Sequence, residues 1–142
     1  MAGLRATVST PSDITVNTGP TTLLQLVAPA NQRLVIKKIV VTWAGSNTGT
    51  IEVETQTTAG TMTSATPITI NGASETIQAT AQHTATAEPT GGNTLAFYSD
   101  DTSIYEVWPP GEGIVVAGGT RVGIVATTSA STVLRAYVEF EE

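Results

Sequence analysis

Short stretches in which apolar and polar residues alternate run along most of this 142-residue chain. In 50–57, Ile51 and Val53 point to one side, whereas Glu52 and its neighbouring polar residues point to the other. The stretch 133–140 alternates in the same way. Alternation with a period of two predicts antiparallel strands with one buried face each.

A different pattern occupies 33–43, where apolar side chains fall on both faces. A strand that is apolar on both faces is typical of the centre of a sheet. Lys37 and Lys38 interrupt the run and predict a β-bulge at that point.

The stretch 76–88 alternates strictly, with threonine, glutamine and glutamate on one face and mainly alanine on the other. Alanine is the best helix former, so a helix is the competing interpretation. Four threonines and the period of two favour a strand.

Turn signals recur about every ten residues, among them Asn71-Gly72 and Pro109-Pro110-Gly111. Short β-rich segments between such turns are typical of sandwiches and barrels. The sequence therefore predicts an all-β, single antiparallel β-sandwich, jelly-roll-like, of about eight to ten strands, in which 120–140 forms a terminal hairpin. We assign 21–142 to this domain and 1–20 to an N-terminal segment. That segment is an edge strand, a loosely held terminus or an arm that pairs with a neighbouring subunit.

Composition narrows the classes of function. The chain contains 27 threonines but only 13% charged residues, and its net charge is −6. Its one basic cluster is Arg33, Lys37 and Lys38, which is too small to predict nucleic-acid binding. No apolar run is long enough to span a membrane, and the first ten residues lack the apolar region of an export signal. The absence of cysteine excludes disulfides and thiolate chemistry.

No constellation of residues points to catalysis, so we expect no enzyme activity, cofactor or metal. His83 is the single histidine, and no nucleophile elbow accompanies it. Asp100-Asp101 is a candidate oxygen-ligand site together with Asp13 or Glu106, but a turn cap explains it more simply. A carboxylate pair for glycoside hydrolysis could be drawn from Glu52, Glu54, Glu75 and Glu106. A sugar-stacking platform could be formed by Trp43, Tyr98, Tyr105 and Trp108.

Four stretches carry a resemblance to a known class of proteins: 57–67, 75–89, 105–111 and 118–123. Together they resemble the small β-sandwich virion proteins of tailed bacteriophages, of the capsid decoration (cement) type. The resemblance spans roughly residues 20 to 142. It implies a jelly-roll-like fold, self-association, often as trimers, and docking on a capsid lattice.

We therefore expect a structural virion protein on the capsid surface. It would form a homo-oligomer, with a trimer favoured, and would bind the major capsid protein and stabilise the shell. The alternatives are a tail or neck component and a carbohydrate-binding module. Two groups are candidates for the capsid contact, one in the N-terminal segment and one basic: Leu4, Val8 and Ile14, and Arg33, Lys37 and Lys38. The polar Thr/Gln faces suit burial against other subunits, because interface cores are depleted of charge.

Overall fold

The computed structural model describes residues 3–45, 47–70 and 74–142. The predicted turn at Asn71-Gly72 lies outside this part of the chain. The described residues form 13 strands: β1 (Arg5–Ser9), β2 (Ile14–Val16), β3 (Thr21–Val27), β4 (Leu34–Trp43), β5 (Gly49–Gln56), β6 (Thr61–Ala65), β7 (Ile68–Thr69), β8 (Thr80–Ala87), β9 (Gly91–Asp100), β10 (Ser103–Val107), β11 (Ile114–Val116), β12 (Arg121–Thr128) and β13 (Thr132–Glu141). The number exceeds the predicted eight to ten; the N-terminal segment contributes β1 and β2, and β7 is only two residues long.

Two antiparallel sheets pack face to face. Sheet A has the order β10-β4-β13-β1-β7, with β11 also paired to β4 and β2 to β13. Sheet B has the order β6-β8-β3-β12-β5-β9. The predicted all-β sandwich is confirmed.

The pairing follows jelly-roll topology. The first long strands of the chain pair with the last: β1 with β13, β3 with β12, β4 with β10, and β5 with β9. Most successive strands cross from one sheet to the other as the chain winds around the core. For this reason β12 and β13 do not form the predicted hairpin, since β12 lies in sheet B and β13 in sheet A.

The core between the sheets is built from the inward face of each strand. In β13, Leu134, Ala136, Val138 and Phe140 are all buried, as the alternation predicts. The predicted bulge in β4 is confirmed, because Ile36 pairs with Phe140 and Lys38 with Glu139, leaving Lys37 as an extra residue.

The N-terminal segment is part of the sandwich. Strand β1 pairs along its whole length with β13, and β2 pairs with the start of the same strand. Val8 and Ile14 are 3% and 6% exposed and belong to the core cluster. The division at residue 20 is therefore not a boundary of the fold, and the predicted arm or loose terminus is corrected to two strands of sheet A.

Within the predicted strand 76–88, only residues 80–87 form β8. The residues before β8 are anchored instead by the last residue of the chain. The Glu142 carboxylate accepts hydrogen bonds from the backbone N–H groups of Gln78 and Ala79, at 2.7 and 2.8 Å. Ala79 and Ala81 are buried, whereas Ala85 is half-buried and Ala87 exposed.

Candidate functional site

Four of the seven exposed large apolar side chains among the described residues lie on the outer face of sheet A. Strand register places Val40 between Tyr105 and Tyr137, and Val107 beside Lys38. Val115 and Ile68 extend this face at its two edges. Tyr105 is 66% exposed and Val107 50%. We call this surface, made of the outward side chains of β1, β4, β7, β10, β11 and β13, the sheet A outer face.

Lys38 lies within this surface between two aromatic rings. Its Nζ is 5.0 Å from the ring centroid of Tyr105 and 5.7 Å from that of Tyr137. Both distances are within the range of a cation–π interaction. Hydrogen bonding to the Tyr105 side chain raises the pKa of Lys38 above its ordinary value, and nearby Glu139 acts in the same direction. The ammonium group is therefore charged throughout the physiological range.

The two arginines of the sheet A outer face are each paired with a carboxylate. Arg5 binds Glu139, and Arg135 Nε donates to Asp13 Oδ1 at 2.6 Å. Glu141 accepts a hydrogen bond from the Gly3 backbone N–H at 3.0 Å. Cations and carboxylates balance on this surface, although the whole chain has a net charge of −6. Balanced, paired charge lowers the electrostatic cost of covering a surface with another protein.

Sheet B presents a different outer surface. Glu52, Glu54 and Glu88 line a shallow cleft of about 430 Å³. Partial burial raises the pKa of Glu54 above its ordinary value, and repulsion from Glu52 adds to this rise. Glu88 is committed to structure, because its Oε2 accepts a hydrogen bond from the Thr22 backbone N–H at 2.9 Å. The carboxylates would repel any partner protein that has an acidic surface, including a second copy of this side of the sandwich.

The structure does not bring the six predicted contact residues together. Val8 and Ile14 face the core, and Leu4 is half-buried, with its backbone paired to that of Glu142. Lys37 is 7% exposed, and its Nζ donates to the carbonyl oxygens of Pro109, at 2.8 Å, and Glu112. Arg33 is exposed and, together with Lys37 and Val115, lines a cleft of about 550 Å³. Of the six, only Lys38 has a side chain on the sheet A outer face.

The alternation predicted Tyr137 on the outer face of 133–140, but sequence reasoning did not identify Tyr137 or Val107 as part of a contact surface. Both were visible in the alternation, since Tyr137 lies opposite the buried set of β13 and Val107 shares a face with Tyr105. Their position beside Lys38 depends on which strands are neighbours, which the alternation does not encode.

The predicted histidine and aspartate candidates make local hydrogen bonds within the fold. His83 is half-buried in β8, and its Nδ1 lies 2.8 Å from Thr84 Oγ1. Asp100 Oδ1 accepts a hydrogen bond from the Asp101 backbone N–H at 2.6 Å, which lowers the pKa of Asp100, as in a turn cap. Within 3–45, 47–70 and 74–142, no group of three or more histidine, aspartate or glutamate side chains is arranged to hold a metal ion.

The aromatic side chains predicted as a sugar-stacking platform do not form one. Trp43 is buried, with its Nε1 donating to the Asn47 carbonyl oxygen at 2.9 Å. Tyr98 and Trp108 pack against the core. Tyr105 alone of the four has an exposed ring.

Comparison with known proteins adds little. No family model matches the chain, and no curated protein matches it. A solved structure described as Eiger TNF from S. frugiperda aligns with a TM-score of 0.38 and 12% sequence identity, over 100% of this chain and 93% of that one. A likeness this distant carries no argument about function, and the sandwich assignment rests on the strand pairing. The described residues include no helix that is long and apolar enough to cross a membrane.

Proposed function

We propose that this chain is a structural virion protein of the capsid decoration type. In this role it self-associates, with a trimer favoured, and binds the outer capsid surface. Its mechanism is the burial of surface between subunits, which stabilises the shell by mass action. The resemblance in the sequence suggests the virion, and the sandwich is compatible with it.

One observation carries the interaction part of the proposal: the sheet A outer face is apolar, aromatic and balanced in charge. Aromatic residues are enriched at the centre of protein interfaces, and a paired charge costs less to bury there than an unpaired one. Tyr105 and Val107 supply exposed apolar area on β10, and the Arg5–Glu139 ion pair lies on the same face, on β1 and β13. The acidic sheet B surface would face away from a second copy, because its carboxylates repel their counterparts.

The test is binding of the purified chain to undecorated capsids. We expect saturable binding of hundreds of copies per particle, and a large loss of occupancy in the double variant Tyr105→Asp/Val107→Asp. Phe97→Asp is the matched control, since Phe97 is 57% exposed but lies on the outer side of β9 in sheet B. Full occupancy by the double variant would refute the role of the sheet A outer face. A handful of copies per virion would replace decoration with a tail or neck role.

The carbohydrate-binding alternative makes a separate prediction. A glycan array would show specific retention that is lost in Tyr105→Ala, because Tyr105 offers the exposed ring of the predicted set. Such a result would replace the structural role by a binding module.

A further inference from the structure

A cleft at one end of the sandwich has the composition of a peptide-binding site. It has a volume of about 530 Å³ and lies between the ends of β5 and β9 on one side and β11 and β12 on the other. Its floor contains Val116 and Val122, which are buried, and its rim contains Leu95 and Val115, which are half exposed. Clefts of this volume with apolar walls and a few polar groups are typical ligand sites.

Arg121 is the cation of this cleft, and its guanidinium group is poorly satisfied. Among the described residues, it makes one hydrogen bond, a long one of 3.5 Å from Nη1 to the Thr57 carbonyl oxygen. Its Nε donor is buried and has no acceptor. Arg5 Nε is also buried without an acceptor, but Arg5 binds the Glu139 carboxylate through Nη2. Arg135 binds the Asp13 carboxylate, whereas Arg121 has no carboxylate partner among the described residues. A buried guanidinium donor without an acceptor is unusual in a folded protein, and a carboxylate is the acceptor that best matches its geometry.

The backbone next to Arg121 holds the side chain in place. Residues 117–120 form a tight turn, in which the Thr120 N–H and Oγ1 both donate to the Ala117 carbonyl oxygen, at 3.1 and 2.7 Å. Gly119 has a φ of +76° in this turn, a conformation that favours glycine. Arg121 then starts β12 and pairs with Val27. The arginine is thus presented by a rigid strand end rather than by a long loop.

Strand β11 offers an edge whose backbone groups can pair with the backbone of a peptide, which a small molecule lacks. It pairs with β4 along one edge, and its other edge has no neighbouring strand among the described residues. A free strand edge binds extended peptides by adding a strand, while flanking pockets select side chains. Val115 and Val116 belong both to β11 and to the wall of the cleft.

We propose that this cleft binds an extended segment of a partner protein in which a glutamate or aspartate is flanked by apolar residues. The carboxylate binds Arg121, the apolar side chains contact Leu95 and Val115, and the segment's backbone lies along β11. The inference does not rest on the virion role, and the cleft shares only Val115 with the residues named on the sheet A outer face.

The test is an NMR titration of the full ¹⁵N-labelled chain with the blocked peptide Ac-Leu-Glu-Leu-NH₂. We expect saturable shifts in the amides of β11 and of residues 119–122. Binding should weaken at least tenfold for Ac-Leu-Gln-Leu-NH₂ and for the variant Arg121→Gln. Arg135→Gln, which removes an arginine of β13 that does not line the cleft, should bind as the parent does.

A pair of variants keeps the test decisive if Arg121→Gln does not fold. Leu95→Asp and Leu95→Asn both remove an apolar contact, but only the aspartate repels the peptide's carboxylate. The glutamate peptide should therefore bind Leu95→Asp more weakly than Leu95→Asn, while the glutamine peptide should not distinguish the two variants. The proposal is wrong if no shift saturates at millimolar peptide, or if both peptides bind equally. It is also wrong if octanoate saturates the same amides and the glutamate peptide does not, because the site would then be one for small carboxylates.

Discussion

Lys37 Nζ donates a hydrogen bond to the carbonyl oxygen of Pro109, 2.8 Å away and 72 residues further along the chain. The same ammonium group binds the Glu112 carbonyl oxygen. Lys37 thereby fastens the turn between β10 and β11 to the bulge of β4. Its neighbour Lys38 instead lies over Tyr105 on the surface. Of two adjacent lysines, one therefore stabilises a turn from a buried position and the other contacts an aromatic ring on the surface.

Replacing Lys37 by methionine should destabilise the protein. The variant keeps the aliphatic stem but leaves two carbonyl oxygens without their charged donor, at a cost of about 1–3 kcal/mol. Lys38→Met is the control and should change the free energy of unfolding by less than about 1 kcal/mol, the size of an exposed cation–π contact. Urea denaturation measures both. Equal stability of the two variants would mean that the buried ammonium contributes nothing.

Deleting residues 2–18 should unfold the protein. The deletion removes β1 and β2 and with them four core side chains, those of Ala6, Val8, Ile14 and Val16. The three larger ones each contribute about 1.5–3 kcal/mol through burial, so their loss is comparable to the net stability of a typical domain. Circular dichroism and thermal melting would detect this. A truncated chain that melts like the parent would show that the N-terminal segment is dispensable for folding.

Ala81→Leu should overpack the contact between β8 and its neighbours. Ala81 is 2% exposed and pairs with Leu26 on one side and Ala65 on the other. The larger side chain has no space, and we expect a loss of about 1–3 kcal/mol. Ala87→Leu, at the exposed end of the same strand, is the matched control. An unchanged melting temperature for Ala81→Leu would contradict close packing at this position.

The isolated chain should self-associate through the sheet A outer face. Light scattering over a dilution series should show a homo-oligomer, with a trimer favoured, and Tyr105→Asp/Val107→Asp should shift it to monomer without lowering the melting temperature of the subunit. Both replaced side chains are at least half exposed, so the subunit fold does not depend on them. A parent chain that stays monomeric at micromolar concentration would exclude free oligomers.

Glu54→Gln should stabilise the protein at neutral pH but not in acid. Burial raises the pKa of Glu54 in the folded state, so the folded chain holds this proton more tightly than the unfolded chain does. The stability of the parent therefore falls as pH rises through the interval from the ordinary pKa to the raised one, and it stays lower above that interval. We expect a gain of about 1–2 °C in melting temperature at pH 7, a few tenths of a kcal/mol, that vanishes near pH 3. Glu75→Gln, at an exposed site, is the control; a gain that persists in acid would contradict a protonation effect.

Local pattern was sufficient for much of the fold. The inward residues of β5 and β13, the bulge at Lys37 and the strand character of residues 80–87 were all predictable, because each follows from the alternation of side chains along a single strand. The candidate surface was predictable only in part. Tyr105 was recognised as an aromatic near a strand end, but its contact with Lys38 joins residues 67 positions apart and depends on β10 being placed beside β4.

The amino-acid sequence alone determined that this protein is an all-β sandwich. Its threonine-rich segments alternate with a period of two, so each strand has one apolar face, and a sheet can bury that face only against a second layer. Tertiary structure decided which strands are neighbours and therefore which side chains meet. It placed β12 and β13 in opposite sheets, drew the N-terminal residues into the core and left Arg121 without a carboxylate. These outcomes depend on pairing between strands that are far apart in the sequence. Such pairing stabilises the protein only once the distant strands are in contact, so no single stretch of sequence predicts it.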